Sequence, residues 1–425
     1  MEYRKINEQA YNIHFVKTDK FKKVKVRINF KEPIEKEKIA YRNMLSLILL
    51  EATKKYTTRR LLDIECEYLY NINIGASTSQ SGNYQLLRLD TTFLNERYTE
   101  KGMTEKSFQF FLDFIFNPNV ENGKFDIQTF NNAKNILKQD IESFNDSPGR
   151  YAFSRLYENM CPDSVLKFHN TGYMEDLEKI TPENLYTYYK ELLRTNLIDI
   201  FIVGNIDFDS MEKIIKDNFI INTLKRAKAD HFIKQDKFRT IPQIVKDSKE
   251  INQSILIVAY KLKDITSFER EYVLTLYNSI LGGGPDSKLF KEVREKNSLC
   301  YSISSSHSGI ANLQYISAGI DEKNFDKTVK LVKKEVKKMA MGEFTEDEII
   351  QAKTTYLASL KELEDSTNGI INIYEAHEYL DYGLLEDRNA EIVKVTKEDI
   401  INASKKIHLD TIYLLKGDRH EEETA

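Results

Sequence analysis

The sequence predicts an α+β fold of two similar domains, each with an antiparallel or mixed sheet that carries helices on one face. Three observations predict it. Each half begins with an apolar strand-like run, at residues 24–30 and again at residues 255–260. Each half ends with a helix and then a strand that terminates in glycine, at Gly204 and Gly417. A helix containing an Ala-Lys pair lies between these ends in both halves, so the chain shows an internal duplication.

The first half contains three predicted helices and two predicted strands. Residues 24–30 alternate apolar and polar side chains and predict a strand, whereas the apolar spacing of residues 40–53 predicts a helix. Residues 127–141, which include the first Ala-Lys pair, predict a second helix. At Thr181, a capping threonine followed by a first-turn proline and an acidic residue predicts a helix start. Residues 197–203 then predict a buried strand.

The second half repeats this order. Residues 255–260 are continuously apolar, as expected for a strand more buried than its counterpart in the first half. Thr345 and Glu348 have the spacing of a capping box, which opens a helix that contains the second Ala-Lys pair. Thr396 caps a further predicted helix, which leads to the last strand-like run before Gly417.

A charged segment without clear apolar periodicity separates the two halves and is interpreted as a connector. The predicted domains are therefore residues 1–222 and residues 251–425, joined by a linker at residues 223–250. With these boundaries, each domain keeps one complete set of the repeated elements.

Composition excludes several classes of protein. The chain has 425 residues, of which 30% are charged, and a formal net charge of -4, so it lacks the electrostatic footprint of a nucleic-acid-binding protein. Its longest apolar run, around residues 45–50, is too short to span a bilayer. Three cysteines do not make a disulfide framework, which indicates a reducing compartment, and we expect a cytoplasmic protein.

The most specific pattern follows an apolar helix in the second half. Three consecutive glycines, Gly282 to Gly284, stop that helix, and Ser287 is positioned to cap a short second helix. Arg294 falls near the end of this second helix, and Tyr301 opens a run with strand-like alternation. Because the glycines follow a helix rather than a strand, they do not match a phosphate-binding loop.

This order and spacing resemble the C-terminal signature of the pitrilysin/insulysin clan of peptidases, which includes the mitochondrial processing peptidase. The resemblance covers essentially the whole chain and implies the LuxS/MPP-like metallohydrolase fold, in which two halves enclose a peptide-sized chamber. It also implies that Arg294 and Tyr301 form a substrate-binding pair. The alternative, from the residues alone, is a structural Arg–carboxylate contact beside a packed tyrosine.

The same resemblance implies that the catalytic metal site has been lost. Active members carry an inverted zinc motif, His-x-x-Glu-His, on a helix of the N-terminal half. Alignment on the downstream Lys-Tyr-Thr places Leu47, Leu50 and Glu51 at these positions, with Asp140 nearest the third ligand, a glutamate. We therefore expect no catalytic residue, metal or cofactor in this chain, and zinc in a partner subunit. Glu51 and Asp140 have two interpretations, a pair that holds a hard cation or a former catalytic face that is now ordinary surface or core.

Three further features are weaker candidates. His307, in a serine-rich run, offers a Ser/His dyad without an acid to orient it, so polar strand or turn residues are the favoured interpretation. Cys300 alternates to the strand face opposite Tyr301 and is interpreted as packing rather than as a nucleophile. Residues 75–82 are interpreted as strand and turn, and the resemblance makes them a candidate for peptide contact.

The resemblance extends to the bacterial YmfF-like probable inactive metalloproteases and implies a non-catalytic role. We expect the non-catalytic subunit of a heterodimeric zinc endopeptidase, completing the peptide-binding chamber of a zinc-bearing homologous sister subunit. The expected substrate is a peptide or small protein, and a homodimer is an alternative when the chain is alone. A peptide-binding or scaffolding protein without a protease partner is the alternative function. Neither nucleic acid nor a membrane span is expected.

Overall fold

The structure of this chain, a computed structural model, describes residues 1–221, 229–235 and 237–417. Within these residues the strands are β1 (Glu2–Asn7), β2 (Tyr11–Lys17), β3 (Lys23–Pro33), β4 (Asn73–Ser81), β5 (Tyr84–Leu94), β6 (Val120–Glu121), β7 (Lys124–Phe125), β8 (Leu197–Gly204), β9 (Gln243–Lys249), β10 (Ser254–Leu262), β11 (Cys300–Ser308), β12 (Leu313–Ile320) and β13 (Ile407–Gly417). The α-helices are α1 (Lys36–Ile48), α2 (Arg59–Tyr68), α3 (Met103–Phe116), α4 (Ile127–Glu142), α5 (Pro148–Met160), α6 (Met174–Leu177), α7 (Pro182–Thr195), α8 (Phe208–Asn218), α9 (Leu274–Gly282), α10 (Phe325–Ala340), α11 (Glu346–Glu364), α12 (Thr367–Leu380), α13 (Leu385–Ile392) and α14 (Lys397–Ser404). Two π-helical turns lie at Glu269–Val273 and Phe290–Glu295. Every helix in this described part of the chain is too short or too polar to traverse a lipid bilayer.

The chain folds into two compact units. Unit 1 comprises Met1–Ser143, Phe168–His231 and Leu363–Tyr379, and unit 2 comprises Phe144–Lys167, Phe232–Glu362 and Leu380–Ala425. Each unit therefore includes a helical segment from the other half of the sequence, α12 in unit 1 and α5 in unit 2. The linear boundaries at residues 222 and 250 stay a prediction, and residues 223–228 and 236 of the proposed linker lie outside the described residues.

The sheets of the two units have the same connectivity. The strand order is β1-β2-β8-β3-β5-β4 in unit 1 and β9-β13-β10-β12-β11 in unit 2. β2 pairs in parallel with β8, as β9 does with β13, and the other pairs in both sheets are antiparallel. Apart from the additional edge strand β1, the sheets correspond strand for strand. The predicted α+β fold with an internal duplication is thus confirmed.

One face of the unit 1 sheet is apolar and packs against helices. Helices α1, α3, α4, α7 and α8 supply side chains to the same core. Because successive strand residues point to opposite faces, every second residue of β3 enters this core. These residues are Val24, Val26, Ile28 and Phe30.

The opposite face of the unit 1 sheet is polar, and α12 covers it. Arg27 and Asn29 of β3 donate hydrogen bonds to Glu375 of α12, at 3.3 and 2.7 Å. Arg27 also forms an ion pair with Asp90 of β5 at 2.9 Å. The apolar-polar alternation of β3 therefore reflects an apolar layer on one face and a buried ionic layer on the other. The strand is as buried as its apolar counterpart, which its sequence pattern did not predict.

Unit 2 has apolar side chains on both faces of its sheet. Leu256 and Val258 of β10 belong to a core that they share with α9 and α10. Ile257 and Ala259, on the other face, pack in a second core with Leu156 of α5. Burial on both faces explains why the run at residues 255–260 is continuously apolar, as predicted.

Strand β9 lies within the segment that the sequence indicated to be a connector. It is an edge strand, paired among the described strands with β13. Its side chains alternate between half-buried and exposed, and Lys246, Asp247 and Lys249 are among them. Charged residues on an edge strand hinder pairing with other chains. They also remove the apolar pattern by which a strand is recognised in a sequence, so this element was missed.

Candidate functional site

The predicted substrate-binding pair lies where a π-helical turn leads to an edge strand of unit 2. Leu289 is fully buried and anchors the turn Phe290–Glu295 to the core. The guanidinium carbon of Arg294 lies 4.5 Å from the ring centroid of Phe290 and 5.5 Å from that of Tyr301. The structure thus brings Arg294 and Tyr301 together, on the end of the turn and the start of β11.

The polar groups of this pair are accessible to a ligand. Tyr301 is 75% exposed, and Arg294 is half-buried. Among the described residues, no carboxylate lies within 4.0 Å of the Arg294 guanidinium nitrogens. This arrangement differs from the alternative of a structural ion pair beside a packed tyrosine. A guanidinium that lies over aromatic rings keeps its N–H groups available, so the pair can donate several hydrogen bonds to carbonyl oxygens.

The glycine turn sets the distance between α9 and β11. A Cβ atom on Gly282 would lie 2.6 Å from the backbone nitrogen of Ser305, so a larger residue would displace the strand. The Ser287 hydroxyl donates a hydrogen bond to the carbonyl oxygen of Gly284 at 2.6 Å. The short helix begins directly after Ser287, as predicted, and the Lys291 N–H donates to the carbonyl oxygen of Ser287 at 3.0 Å. The Ser287 hydroxyl, however, closes the glycine turn and does not cap the helix.

The residues around His307 link α9 to β11 and do not form a Ser/His dyad. The Ser305 hydroxyl donates to the side-chain oxygen of Asn278, and the Asn278 nitrogen lies 3.1 Å from Nδ1 of His307. Burial lowers the pKa of the His307 imidazole. Burial also raises the pKa of the Cys300 thiol, which keeps it in its less nucleophilic protonated form. These groups therefore help to hold β11, the strand that carries Tyr301, against α9.

The positions aligned with the zinc motif lie at the C-terminal end of α1. Leu47 belongs to the last turn of the helix, whereas Leu50 and Glu51 lie in the turn after Ile48. Leu47 and Leu50 pack, partly buried, against the core of unit 1. Asp140 is exposed on α4. Among the described residues, none of these belongs to a group of three or more convergent metal-binding side chains.

The predicted helix at residues 40–53 is too long at its C-terminal end. The Glu51 N–H donates to the carbonyl oxygen of Ile48 at 3.2 Å, which is the i to i+3 bond of a 3₁₀-type turn. Immediately beyond, the Lys54 N–H donates to the carbonyl oxygen of Asn117 at 2.8 Å. This hydrogen bond to a distant segment draws the chain away from the helical path. The structure therefore does not place residues 47, 50 and 51 on one helical face.

Restoring the motif residues is not expected to create a zinc site. The His-x-x-Glu-His motif functions when a helix presents both imidazoles one turn apart. In the variant Leu47→His/Leu50→Glu/Glu51→His, the second imidazole would lie in the 3₁₀-type turn, and two polar groups would replace core leucines. We expect its zinc content, measured by plasma mass spectrometry after gel filtration, to equal that of the unchanged chain, with a lower thermal midpoint. One zinc ion more per variant chain than per unchanged chain would contradict this interpretation.

Residues 75–82 fall in β4 and the turn that follows it. β4 is an edge strand that pairs, among the described strands, with β5. An open strand edge presents backbone groups to which an extended peptide can bind. A role of these residues in peptide contact stays a prediction.

A separate cleft of about 870 Å³ lies in unit 1. Its lining includes two lysines, Lys55 and Lys106, and two carboxylates, Glu65 and Asp113. These opposite charges give the cleft no net preference for a charged ligand. Neither the Arg294–Tyr301 pair nor the aligned zinc positions line it.

The chain is similar in sequence to peptidases and to inactive homologues of peptidases. The family described as "Peptidase M16 inactive domain" matches residues 179–356. The chain is 30% identical over 408 residues to a Bacillus subtilis protein named "Probable inactive metalloprotease YmfF", with 95% of each chain covered. It is 24% identical over 300 residues to an "Uncharacterized zinc protease" of Rickettsia felis, with 68% of this chain and 69% of that protein covered.

A solved structure shows the same fold. The crystal structure of a conserved protein from Enterococcus faecalis superposes with a TM-score of 0.91 and 26% sequence identity. The match covers 99% of this chain and 100% of the other. The similarity in sequence and in structure therefore extends over both units.

Proposed function

We propose that this chain, which belongs to the M16 peptidase family, is the non-catalytic subunit of a heterodimeric zinc endopeptidase. In this role it completes the peptide-binding chamber for a zinc-bearing sister subunit. The observation that carries the proposal is an asymmetry between two sites. Arg294 and Tyr301 lie together and are accessible, whereas Leu47 and Leu50 stand at the positions that align with an imidazole and the carboxylate of the zinc motif.

Peptide hydrolysis requires groups that hold the substrate as well as groups that break the bond. An extended peptide presents carbonyl oxygens along its length. The Arg294 guanidinium offers five N–H donors in a fixed fork, and the Tyr301 hydroxyl offers one more. We assign these donors to the backbone of a peptide or small protein. The metal and the general base come from the sister subunit.

The family contains chains suited to both roles. One relative of this chain is named as a probable inactive metalloprotease, and another is named as a zinc protease. A sister subunit of similar fold with an intact His-x-x-Glu-His motif is therefore the partner that the proposal requires. We place the complex in the cytoplasm, because Cys66, Cys161 and Cys300 are free thiols.

Replacing Arg294 with alanine is expected to weaken peptide binding by roughly 10- to 100-fold, because hydrogen bonds from a charged donor contribute about 1.5–3 kcal/mol. The variant Lys291→Ala is the matched control, since it removes a half-exposed cation from the same turn and leaves the stacked guanidinium intact. Fluorescence anisotropy with a labelled peptide library measures the affinity, and circular dichroism confirms folding. Equal affinities for both variants would rule out this role for Arg294.

The subunit is distinguished from a scaffolding protein by mixing it with the sister chain. We expect zinc and peptide cleavage in the mixture, a complex of both chains on gel filtration, and no cleavage by the isolated chain, whether monomer or homodimer. Arg294→Ala should reduce turnover by the assembled pair without preventing assembly. A chain that binds peptide but never assembles with a zinc-bearing homologue would instead be a peptide-binding or scaffolding protein.

A further inference from the structure

Three side chains that are far apart in the sequence converge within unit 1. His14 lies on β2, Asp199 on β8 and Glu378 on α12, and their ligand atoms lie within 4.8 Å of one another. Nε2 of His14 is 3.9 Å from Oδ1 of Asp199 and 3.9 Å from Oε2 of Glu378. His14 is 0% exposed and Asp199 is 1% exposed. The cluster is distinct from the aligned zinc positions on α1.

The Nε2 atom of His14 is buried without a hydrogen-bond partner among the described residues. The other ring nitrogen, Nδ1, lies 2.9 Å from the hydroxyl oxygen of Tyr3. The ring is also stacked on Phe201, with centroids 4.4 Å apart, which fixes its orientation. A buried polar nitrogen without a partner is destabilising. A cation between this nitrogen and the two carboxylates would satisfy it.

Neighbouring polar groups form hydrogen bonds and an ion pair with these side chains, as groups around a metal site do with its ligands. If Nδ1 carries the ring proton, it donates to the Tyr3 oxygen, and Nε2 presents its lone pair to the carboxylates. Asn12 donates to Oδ1 of Asp199 at 2.9 Å. Lys31 Nζ lies 2.5 Å from Oδ2 of the same carboxylate.

We propose that His14, Asp199 and Glu378 bind a divalent transition-metal ion, for which zinc is the best-suited candidate. One imidazole nitrogen and two carboxylate oxygens are accepted zinc ligands, and water can complete the coordination. The ion would fasten α12 to β2 and β8. This role is structural and lies apart from the peptidase chemistry, so it neither depends on the proposed function nor supplies a catalytic cofactor.

Lys5 is a competitor for this site. Its Nζ atom lies 2.6 Å from Oε2 of Glu378, the oxygen nearest to His14. The Lys5 side chain is 32% exposed, so it can move into solvent when an ion binds. Lys31, in contrast, contacts Oδ2 of Asp199, whereas His14 is near Oδ1. Removing Lys5 should therefore strengthen metal binding, whereas a cluster that is held only by ion pairs would bind no metal in either form.

Isothermal titration of the chelator-treated chain with zinc chloride tests the site, and cobalt chloride gives an absorption spectrum of the bound ion. We expect one equivalent of zinc, with affinity reduced roughly 10- to 100-fold or more in His14→Gln and in Glu378→Gln. The control Glu364→Gln removes a carboxylate that pairs with Lys20 outside the cluster and should leave the affinity unchanged. Lys5→Met should raise it.

Circular dichroism of the metal-free variants separates loss of binding from loss of folding. If His14→Gln does not fold, Glu378→Gln and Lys5→Met decide the question, because their side chains are closer to the surface. The proposal is overturned if the unchanged chain and Lys5→Met take up neither zinc nor cobalt. It is also overturned if folded Glu378→Gln binds zinc as tightly as the unchanged chain.

Discussion

Replacing Arg42 with methionine is expected to destabilise the protein by about 3–5 kcal/mol, the effect of breaking a buried charge pair. Arg42 lies on α1 and is 0% exposed. Its guanidinium lies 2.8 Å from a carboxylate oxygen of Glu32. It donates to the backbone carbonyl oxygens of Phe30 at 2.6 Å and Gln85 at 3.2 Å, and also to the side chain of Asn196. One side chain thus connects α1 to β3, β5 and the end of α7.

The expected loss of stability comes mainly from the buried polar groups that lose Arg42 as their partner. Methionine fills similar volume but leaves the buried Glu32 carboxylate without its guanidinium, and it removes one donor from the carbonyl oxygens of Phe30 and Gln85. Urea unfolding followed by circular dichroism measures the change, and hydrogen exchange of residues 36–48 reports on α1 itself. The double variant Arg42→Met/Glu32→Leu should recover part of the stability, because it removes the uncompensated charge.

An exposed arginine supplies the matched control. Arg59 of α2 pairs with Asp63 one turn away, and both side chains are more than half exposed. Arg59→Met should change stability by less than about 1 kcal/mol. Equal effects of the two arginine substitutions, or a double variant no more stable than Arg42→Met, would show that the buried pair does not hold α1.

This network bears on how the chain keeps its fold without the family's metal. In an active member the zinc ligands would link α1 to the rest of the site. Here Leu47 and Leu50 pack, partly buried, against the core, and Arg42 connects α1 to the sheet. Apolar packing and a buried guanidinium with several hydrogen-bond acceptors can thus hold α1 in position without a metal ligand on it.

The parts of the fold that could be predicted are those specified by local chemistry. The capping box at Thr345 and Glu348 forms as predicted, with reciprocal hydrogen bonds of 2.8 and 3.2 Å. Thr181 caps α7 in the same way. The end of α1 was not predictable, because the hydrogen bond from Lys54 to Asn117 depends on a segment distant in sequence. β9 was missed because its charged edge pattern resembles that of a connector.

The two candidate sites also differ in whether the local sequence specifies them. Arg294 and Tyr301 are close in sequence, so the spacing between a helical turn and the next strand was enough to bring them together. His14, Asp199 and Glu378 lie on three elements whose proximity depends on the sheet order and on the placement of α12. No local motif joins them, and a single histidine lacks the paired spacing by which a zinc site is recognised in a sequence.

Replacing Glu375 with alanine is expected to destabilise unit 1 by about 3 kcal/mol, because it removes a buried carboxylate that pairs with both Arg27 and Arg88. Glu375 is 6% exposed on α12. Its carboxylate accepts hydrogen bonds from Arg27 at 3.3 Å, Asn29 at 2.7 Å and Arg88 at 2.9 Å. Arg27 keeps a second carboxylate, that of Asp90, so we expect Arg42→Met to have the larger effect. Urea unfolding and protease sensitivity of residues 363–379 measure the change.

Two further variants separate the charge of Glu375 from its shape and position. Glu375→Gln keeps the shape of the side chain and one acceptor oxygen, but it loses the charge and replaces the other oxygen with an amide donor. It should therefore be destabilising, but less so than Glu375→Ala. Glu364 pairs with Lys20 at 3.0 Å, but its side chain is 28% exposed; Glu364→Ala should therefore change stability by about 0–1 kcal/mol. If Glu375→Ala is no more harmful than Glu364→Ala, the polar face of the sheet does not hold α12 by charge. A large effect of Glu375→Ala alone would mean that α12 is fixed to unit 1 by its buried carboxylate, which is the arrangement that also brings Glu378 to His14 and Asp199.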